Sequence, residues 1–236
     1  AILNVVNLGD PASNGILAQT CLVFALFTTQ GASASWAWAK TPSGTSAGPK
    51  LRINPATPQW EFTGNSTTAA APSISTPNNS ATSDQWQHVA GTWDGGILAS
   101  GMAIYHGIGG APLTLPTQTN PIDGTGSPDS GVGNSLTIGN RSGTNNVPFQ
   151  GSIGYVARWN RILSLPELLK AQKFGPLTVP AGLVLCWAGD RDYSRSRIAA
   201  INRTRPTQGA TPPAYGPLGL AMPTTRYFFA TAVYQY

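Results

Sequence analysis

Short apolar runs alternate along this chain with clusters of Gly, Pro, Ser, Thr and Asn, and that rhythm limits the fold more than any single motif. Nine runs read as strands: Leu22–Thr28, Ser35–Ala39, Leu51–Asn54, Gln59–Thr63, Gln87–Trp93, Met102–His106, Ser135–Gly139, Gly151–Asn160 and Gly182–Trp187. Strand side chains alternate between faces, so Trp36 and Trp38 should share one face, as should Trp60 and Phe62. Ile153, Tyr155, Ala157 and Trp159 should line another. The continuous run Cys21–Phe27 reads as a strand buried on both sides; it falls far short of the about 18–20 apolar residues of a membrane span. Two polar stretches, Gly64–Asp84 and Pro112–Asn134, are too long for a plain meander and read as exposed excursions.

One helix is expected. Ser164-Leu-Pro-Glu167 has the form of a capping box, Pro166 suits a first turn, and Gly175-Pro176 ends the segment Leu165–Phe174. The whole is an all-β chain with a single helical connector. Its 236 residues are enough for one core without a metal or disulfide staple. Cys21 and Cys186 lie in apolar runs and read as buried free thiols, with a disulfide between sheets as the alternative.

The strings in the middle of the chain carry a family resemblance. Trp86-Gln-His-Val-Ala-Gly-Thr-Trp-Asp-Gly95 resembles the W-x-H-V-A-x-T-Y/W-D-G strand of laminin-G-like, concanavalin A-like jelly-roll domains. Met102-Ala-Ile-Tyr-His-Gly107 is similar to the family's L-x-I-Y-V-N-G hairpin, and Leu136-Thr-Ile-Gly139 to its L-x-I-G. Phe149 to Ser164, with Glu167 after it, resembles F-x-G-x-I-D-E-V-R-I-Y-N-R-A-L-S-x-x-E. The chain departs from the pattern at Gly154-Tyr155, where the family has Asp-Glu, and at His106-Gly107, where it has Asn-Gly. The resemblance implies a two-sheet antiparallel jelly-roll sandwich over residues 1–187, with one short helix. Residues 188–236 then form a basic, Pro/Gly-rich C-terminal extension ending in an aromatic strand.

Composition narrows the chemistry. Only 10% of residues are charged, and the acids are two glutamates and seven aspartates. Glycoside hydrolysis needs two carboxylates across the scissile bond, yet Glu61 stands alone beside Trp60 and Glu167 is used as a cap. A non-enzyme is expected. The loop Asp123-Gly-Thr-Gly-Ser-Pro-Asp129 places oxygens of Asp123, Thr125, Ser127 and Asp129 at alternate positions, which makes calcium the one cofactor with a candidate site. His88 and His106 lack partners at ligand spacing. For glycan contact the candidates are Trp60, Trp93, Asp94 and His106, since aromatic faces stack on sugars while polar groups orient them.

The net charge of +5 is lopsided: residues 1–157 carry −2 and residues 158–236 carry +7. The basic stretch through Arg195, Arg197, Arg203 and Arg205 lacks interleaved stacking aromatics, which disfavours nucleic acid. With Tyr227, Phe228, Phe229, Tyr234 and Tyr236 it reads as an assembly element for neighbouring copies or virion structural proteins. The first residues lack a basic leader region, and Ala1 suits either removal of an initiator Met or an earlier cleavage. Laminin-G-like jelly rolls occur in particle proteins. The expected role is thus a non-catalytic structural protein on a virion surface: a bacteriophage capsid decoration, fibre or tail accessory protein. The alternative is a secreted, extracellular carbohydrate-binding or adhesion module that binds cell-surface glycan.

Overall fold

The computed structural model describes residues 6–8, 18–28, 34–40, 48–68, 70–129, 131, 133–141, 147–188 and 207–208. In chain order the strands are β1 (Val6–Asn7), β2 (Gln19–Phe27), β3 (Ser35–Lys40), β4 (Lys50–Asn54), β5 (Gln59–Thr63), β6 (Ser73–Ser75) and β7 (Gln85–Trp93). They continue as β8 (Met102–Ile108), β9 (Thr119–Ile122), β10 (Leu136–Ile138), β11 (Gly151–Trp159), β12 (Leu183–Ala188) and β13 (Thr207–Gln208). Helix α1 spans Leu165–Phe174 between β11 and β12. One sheet runs β13-β1-β10-β3-β4-β5-β6-β9 and the other β12-β11-β2-β7-β8. Neighbouring strands pair antiparallel throughout, which gives the expected jelly-roll sandwich.

Alternation explains how the sheets close on each other. Cys21, Val23, Ala25 and Phe27 of β2 face inward with Val89 and Trp93 of β7, Ile104 of β8 and Leu185 of β12. They meet Trp38, Leu51, Ile53, Trp60, Phe62, Ile74, Leu136 and Ile138 from the larger sheet. The sheets approach closely at Gly91, where a Cβ would lie 2.5 Å from the Phe62 ring, so only glycine fits. The opposite face of the five-stranded sheet is buried as well. Leu22, Phe24, Ala90, Tyr155, Ala157 and Trp159 pack there beneath Leu163, Leu168, Ala171 and Val179. Burial on both faces is why β2 reads as an unbroken apolar run.

Three expectations need correction. Trp36 and Trp38 do not share a face, because the β3–β4 register shifts between them. Trp38 enters the inter-sheet core, whereas the Trp36 ring lies near Lys50 and Arg141, 5.7 and 5.9 Å from its centroid. A second shift falls between Ile153 and Tyr155, so Ile153 packs toward the inter-sheet core while Tyr155, Ala157 and Trp159 face the helix. An extra residue on one strand reverses every later side chain. The supposed excursions also hold paired strands: β6 joins β5 to β9. Ser-Ile-Ser has one apolar residue and Thr-Asn-Pro-Ile contains a proline, so neither signals a strand, although proline is tolerated at the edge position β9 occupies.

Cys21 and Cys186 are free and buried. Cys21 points between the sheets and Cys186 toward the helix layer, so a disulfide joining them would have to pass through the sheet. Among the described residues no helix is long and apolar enough to cross a membrane.

Candidate functional site

Strand alternation removes three of the four glycan candidates from solvent. Trp60 and Trp93 are fully buried between the sheets, and their ring faces are covered by protein. Trp93 Nε1 donates to the Gly96 carbonyl at 2.7 Å. Trp60 Nε1 donates to Gln87 Oε1 at 3.0 Å, and the same oxygen pairs with His106 Nε2 at 2.8 Å. Gln87 Oε1 only accepts, so His106 carries its proton on Nε2. Burial pushes the His106 pKa down to about 4, which keeps the ring neutral. These residues form a polar brace inside the sandwich. Asp94 is different: it is the first residue past β7 and it is exposed. Its carboxylate accepts from the Gly96 N–H at 2.7 Å, and its own N–H donates to the Gly101 carbonyl at 3.0 Å.

Of the four residues proposed for calcium, each makes a hydrogen bond to protein. Asp123 Oδ1 accepts from the Ala99 N–H at 2.8 Å, and Asp129 Oδ1 from the Gly131 N–H at 2.9 Å. The Thr125 hydroxyl meets that of Thr68 at 2.7 Å, while the Ser127 N–H donates to the Thr67 hydroxyl at 3.1 Å. Thr125 and Ser127 thus stitch the loop to Thr67 and Thr68, while the two aspartates accept from the Ala99 and Gly131 N–H groups. Among the described residues no three His, Cys, Asp or Glu side chains gather as a metal set. Beside this loop lies Lys40, fully buried, whose Nζ donates to the carbonyls of Gly131 and Asn134.

Asp94 and Asp123 nevertheless meet across a short 3-10 turn, Ala99–Gly101. Beside that turn a groove of about 590 Å³ opens at the rim of the sandwich. Ile74, Ala99, Met102 and Pro121 form its apolar lining, and Ser100, Gln118 and Asp123 supply polar groups. Leu98 overhangs it, more than half exposed. That volume and that mix of surfaces suit a small ligand held by a few polar contacts. Gln118, Ser100 and Leu98 have no sequence signature. The one hint was that both Asp94-Gly-Gly and Asp123-Gly are turn-forming strings.

Neither glutamate stands free. Glu61 accepts from Arg52 Nε at 2.9 Å and Nη2 at 2.8 Å. Glu167 pairs with Arg161 Nη2 at 2.6 Å; that bond and the Ser164 N–H hold its pKa down to about 2. The nine assembly candidates, Arg195, Arg197, Arg203, Arg205, Tyr227, Phe228, Phe229, Tyr234 and Tyr236, lie outside the described residues.

The family model of the concanavalin A-like lectin/glucanases superfamily matches residues 24–168. Among solved structures, the CBM40 of Ruminococcus gnavus IT-sialidase, bound to α2,3-sialyllactose, is 16% identical over 70% of this chain and 92% of its own, with a TM-score of 0.49. The LG1-3 region of the laminin α2 chain is 11% identical over 68% of this chain and 31% of its own, with a TM-score of 0.50. Tailspike protein 2 of Escherichia coli O157:H7 bacteriophage CAB120 is 15% identical over 68% and 25%, with a TM-score of 0.43. Comparison with curated proteins finds none that matches.

Proposed function

Since the chain belongs to the concanavalin A-like lectin/glucanase superfamily, we propose that it is a non-catalytic binding module that takes a saccharide in the rim groove. The observation that carries this is the groove itself: an apolar lining with an amide, a hydroxyl and a carboxylate at its edge, formed where Asp94 and Asp123 brace one turn. Such a surface suits a sugar ring, whose C–H face is apolar and whose hydroxyls exchange hydrogen bonds with fixed polar groups. The non-catalytic part rests on the glutamates, both tied into ion pairs with arginine. The test is titration of the full chain with a panel of neutral and acidic oligosaccharides by calorimetry, repeated with Ser100→Trp to fill the groove and Gln118→Ala to remove an amide. At least one saccharide should bind, with affinity reduced tenfold or more in Ser100→Trp. Unchanged affinity in that variant would sink the assignment to the groove.

We further place the module on a virus particle, as a bacteriophage capsid decoration, fibre or tail accessory protein. Two observations support this over a secreted adhesion module. Residues 189–236 are basic and Pro-rich and carry Tyr227, Phe228, Phe229, Tyr234 and Tyr236, a composition that suits contact with neighbouring copies or particle proteins. Thr207–Gln208 also pair with β1 as the edge strand of the larger sheet, and a sheet edge is where a further strand can add.

A further inference from the structure

Of the seven tryptophans, Trp36, Trp38, Trp60, Trp93 and Trp159 are buried and Trp187 is half-buried, whereas Trp86 is 36% exposed. Its ring is not loose. It stacks on Phe24 with centroids 4.4 Å apart and planes at 20°, and Phe24 stacks in turn on His88 at 4.4 Å and 23°. Tyr155 closes the array, 5.7 Å from Phe24 and 5.9 Å from His88. One face of the indole is thus backed by a packed aromatic layer, which fixes the plane of the ring before any ligand arrives.

The strand register shows what lies beside it. Trp86 pairs with Leu26, and Leu26 with Ser152, so the three side chains stand in one row on the same face of the five-stranded sheet. Leu26 is half-buried and Ser152 exposed. On the other side of Trp86 the chain turns at Gly109, whose N–H donates to the Trp86 carbonyl at 2.9 Å. Gly109 brings no side chain of its own to that flank, and a Cβ there would meet nothing nearer than Gln85 Oε1 at 4.0 Å. One row further in, the end of α1 closes the strip: Gln172 Nε2 lies 3.4 Å from His88 Nδ1 and donates to the Ala111 carbonyl at 2.7 Å.

We propose that Trp86, Leu26 and Ser152 form a second saccharide-binding platform, separate from the rim groove, on which a pyranose lays its apolar face against the indole. Three strands at about 4.8 Å spacing make the row roughly 10 Å wide. That is ample for a sugar ring, while a row of three residues is far short of the about 20–30 residues a side of a specific protein interface. A rigid indole adds contact area at little entropic cost, and Ser152 offers a hydroxyl at the far end of the row. Met102, which lines the groove, pairs with Trp93, seven residues along β7 from Trp86 and about 23 Å of extended chain away, so one ring cannot touch both the platform and the groove. The module would then bind two saccharide units at once, which favours retention on a multivalent surface.

The test uses intrinsic tryptophan fluorescence of the full chain, titrated with galactose-, glucose- and mannose-based oligosaccharides and with sialyllactose, in the wild type and in Trp86→Ala, Trp86→Phe and Ser100→Trp. The expected result is a saturable fluorescence change that survives Ser100→Trp, is lost in Trp86→Ala and is accompanied in Trp86→Phe by at least threefold weaker calorimetric binding. Thermal melts confirm that each variant is folded, and Trp86→Phe preserves the stack on Phe24 if Trp86→Ala does not fold. No fluorescence change with any sugar, or a change lost in Ser100→Trp, would overturn the platform. Binding that disappears only in Ser100→Trp leaves the rim groove standing alone.

Discussion

Gln87 sits at the centre of the sandwich and shows how single residues hold a polar group inside an apolar layer. Its carbonyl oxygen accepts from Trp60 and His106, and its amide nitrogen donates to the Thr82 carbonyl, so both ends are satisfied. Arg158 is buried by other means. It donates to Gln19 Oε1 at 2.6 Å and stands 5.1 Å from the centre of the Trp38 ring, with burial lowering its pKa to about 10. The histidines have the opposite problem, because they must stay uncharged. Burial pushes His88 down to about 3 and His106 to about 4, against about 6.5 in an unfolded chain. Below pH 6.5 the unfolded state takes up protons that the folded state refuses. Stability is therefore complete above that pH and falls as the solution is acidified toward pH 4. The midpoint of urea unfolding should drop steadily from pH 6.5 to pH 5, where carboxylates remain ionised. His88→Phe, which keeps the aromatic stack, should flatten that slope. An unchanged slope in the variant would show that His88 is not the titrating group. Trp60 and Trp93 were visible in the sequence as aromatic strand residues, but nothing in it said that both ring faces would be covered. Exposure depends on which strand lies opposite.

At the level of elements, the helix and the bulges behave differently. The helix was legible to the residue: Glu167 reaches back to the Ser164 N–H at 2.9 Å, and the Ser164 hydroxyl donates to the same carboxylate at 3.0 Å. Capping is local chemistry within four residues, so the string specifies it. The bulge between Ile153 and Tyr155 was not legible, because a shift in register belongs to two strands at once. Gly154 permits it: a Cβ there would lie 2.6 Å from a Phe24 ring carbon. Gly154→Ala should therefore cost about 1–3 kcal/mol in urea unfolding, the usual penalty for overpacking. A loss below a few tenths of a kcal/mol would mean that Phe24 moves freely aside. Since Phe24 also backs Trp86, the same variant should disturb the exposed indole.

Across the whole molecule, three layers stand on one another: the eight-stranded sheet, the five-stranded sheet and the helix with its flanking turns. The middle layer is apolar on both faces, which accounts for both buried thiols and explains why they cannot meet. Assembly is the property tested at this scale. Light-scattering mass of the full chain should show a discrete oligomer, while a chain ending at Gln208, which keeps the β1–β13 pair, should be a folded monomer. Two monomers of equal behaviour would remove the tail as an assembly element and favour the secreted module.

By itself the sequence determined the class of fold, nine of the strands to within a few residues, the helix and its cap, and the family. These follow from side-chain alternation, turn chemistry and short strings, all written in consecutive residues. Only the tertiary structure decided that Trp60, Trp93 and His106 are bracing residues, that the Asp123–Asp129 oxygens bind protein, and that Trp86 faces solvent. Each of those depends on partners distant in the chain: Gln87 for Trp60, Thr67, Thr68 and Ala99 for the loop, and Phe24 and Gly109 for Trp86. Burial is a property of what packs opposite, and no local pattern encodes it.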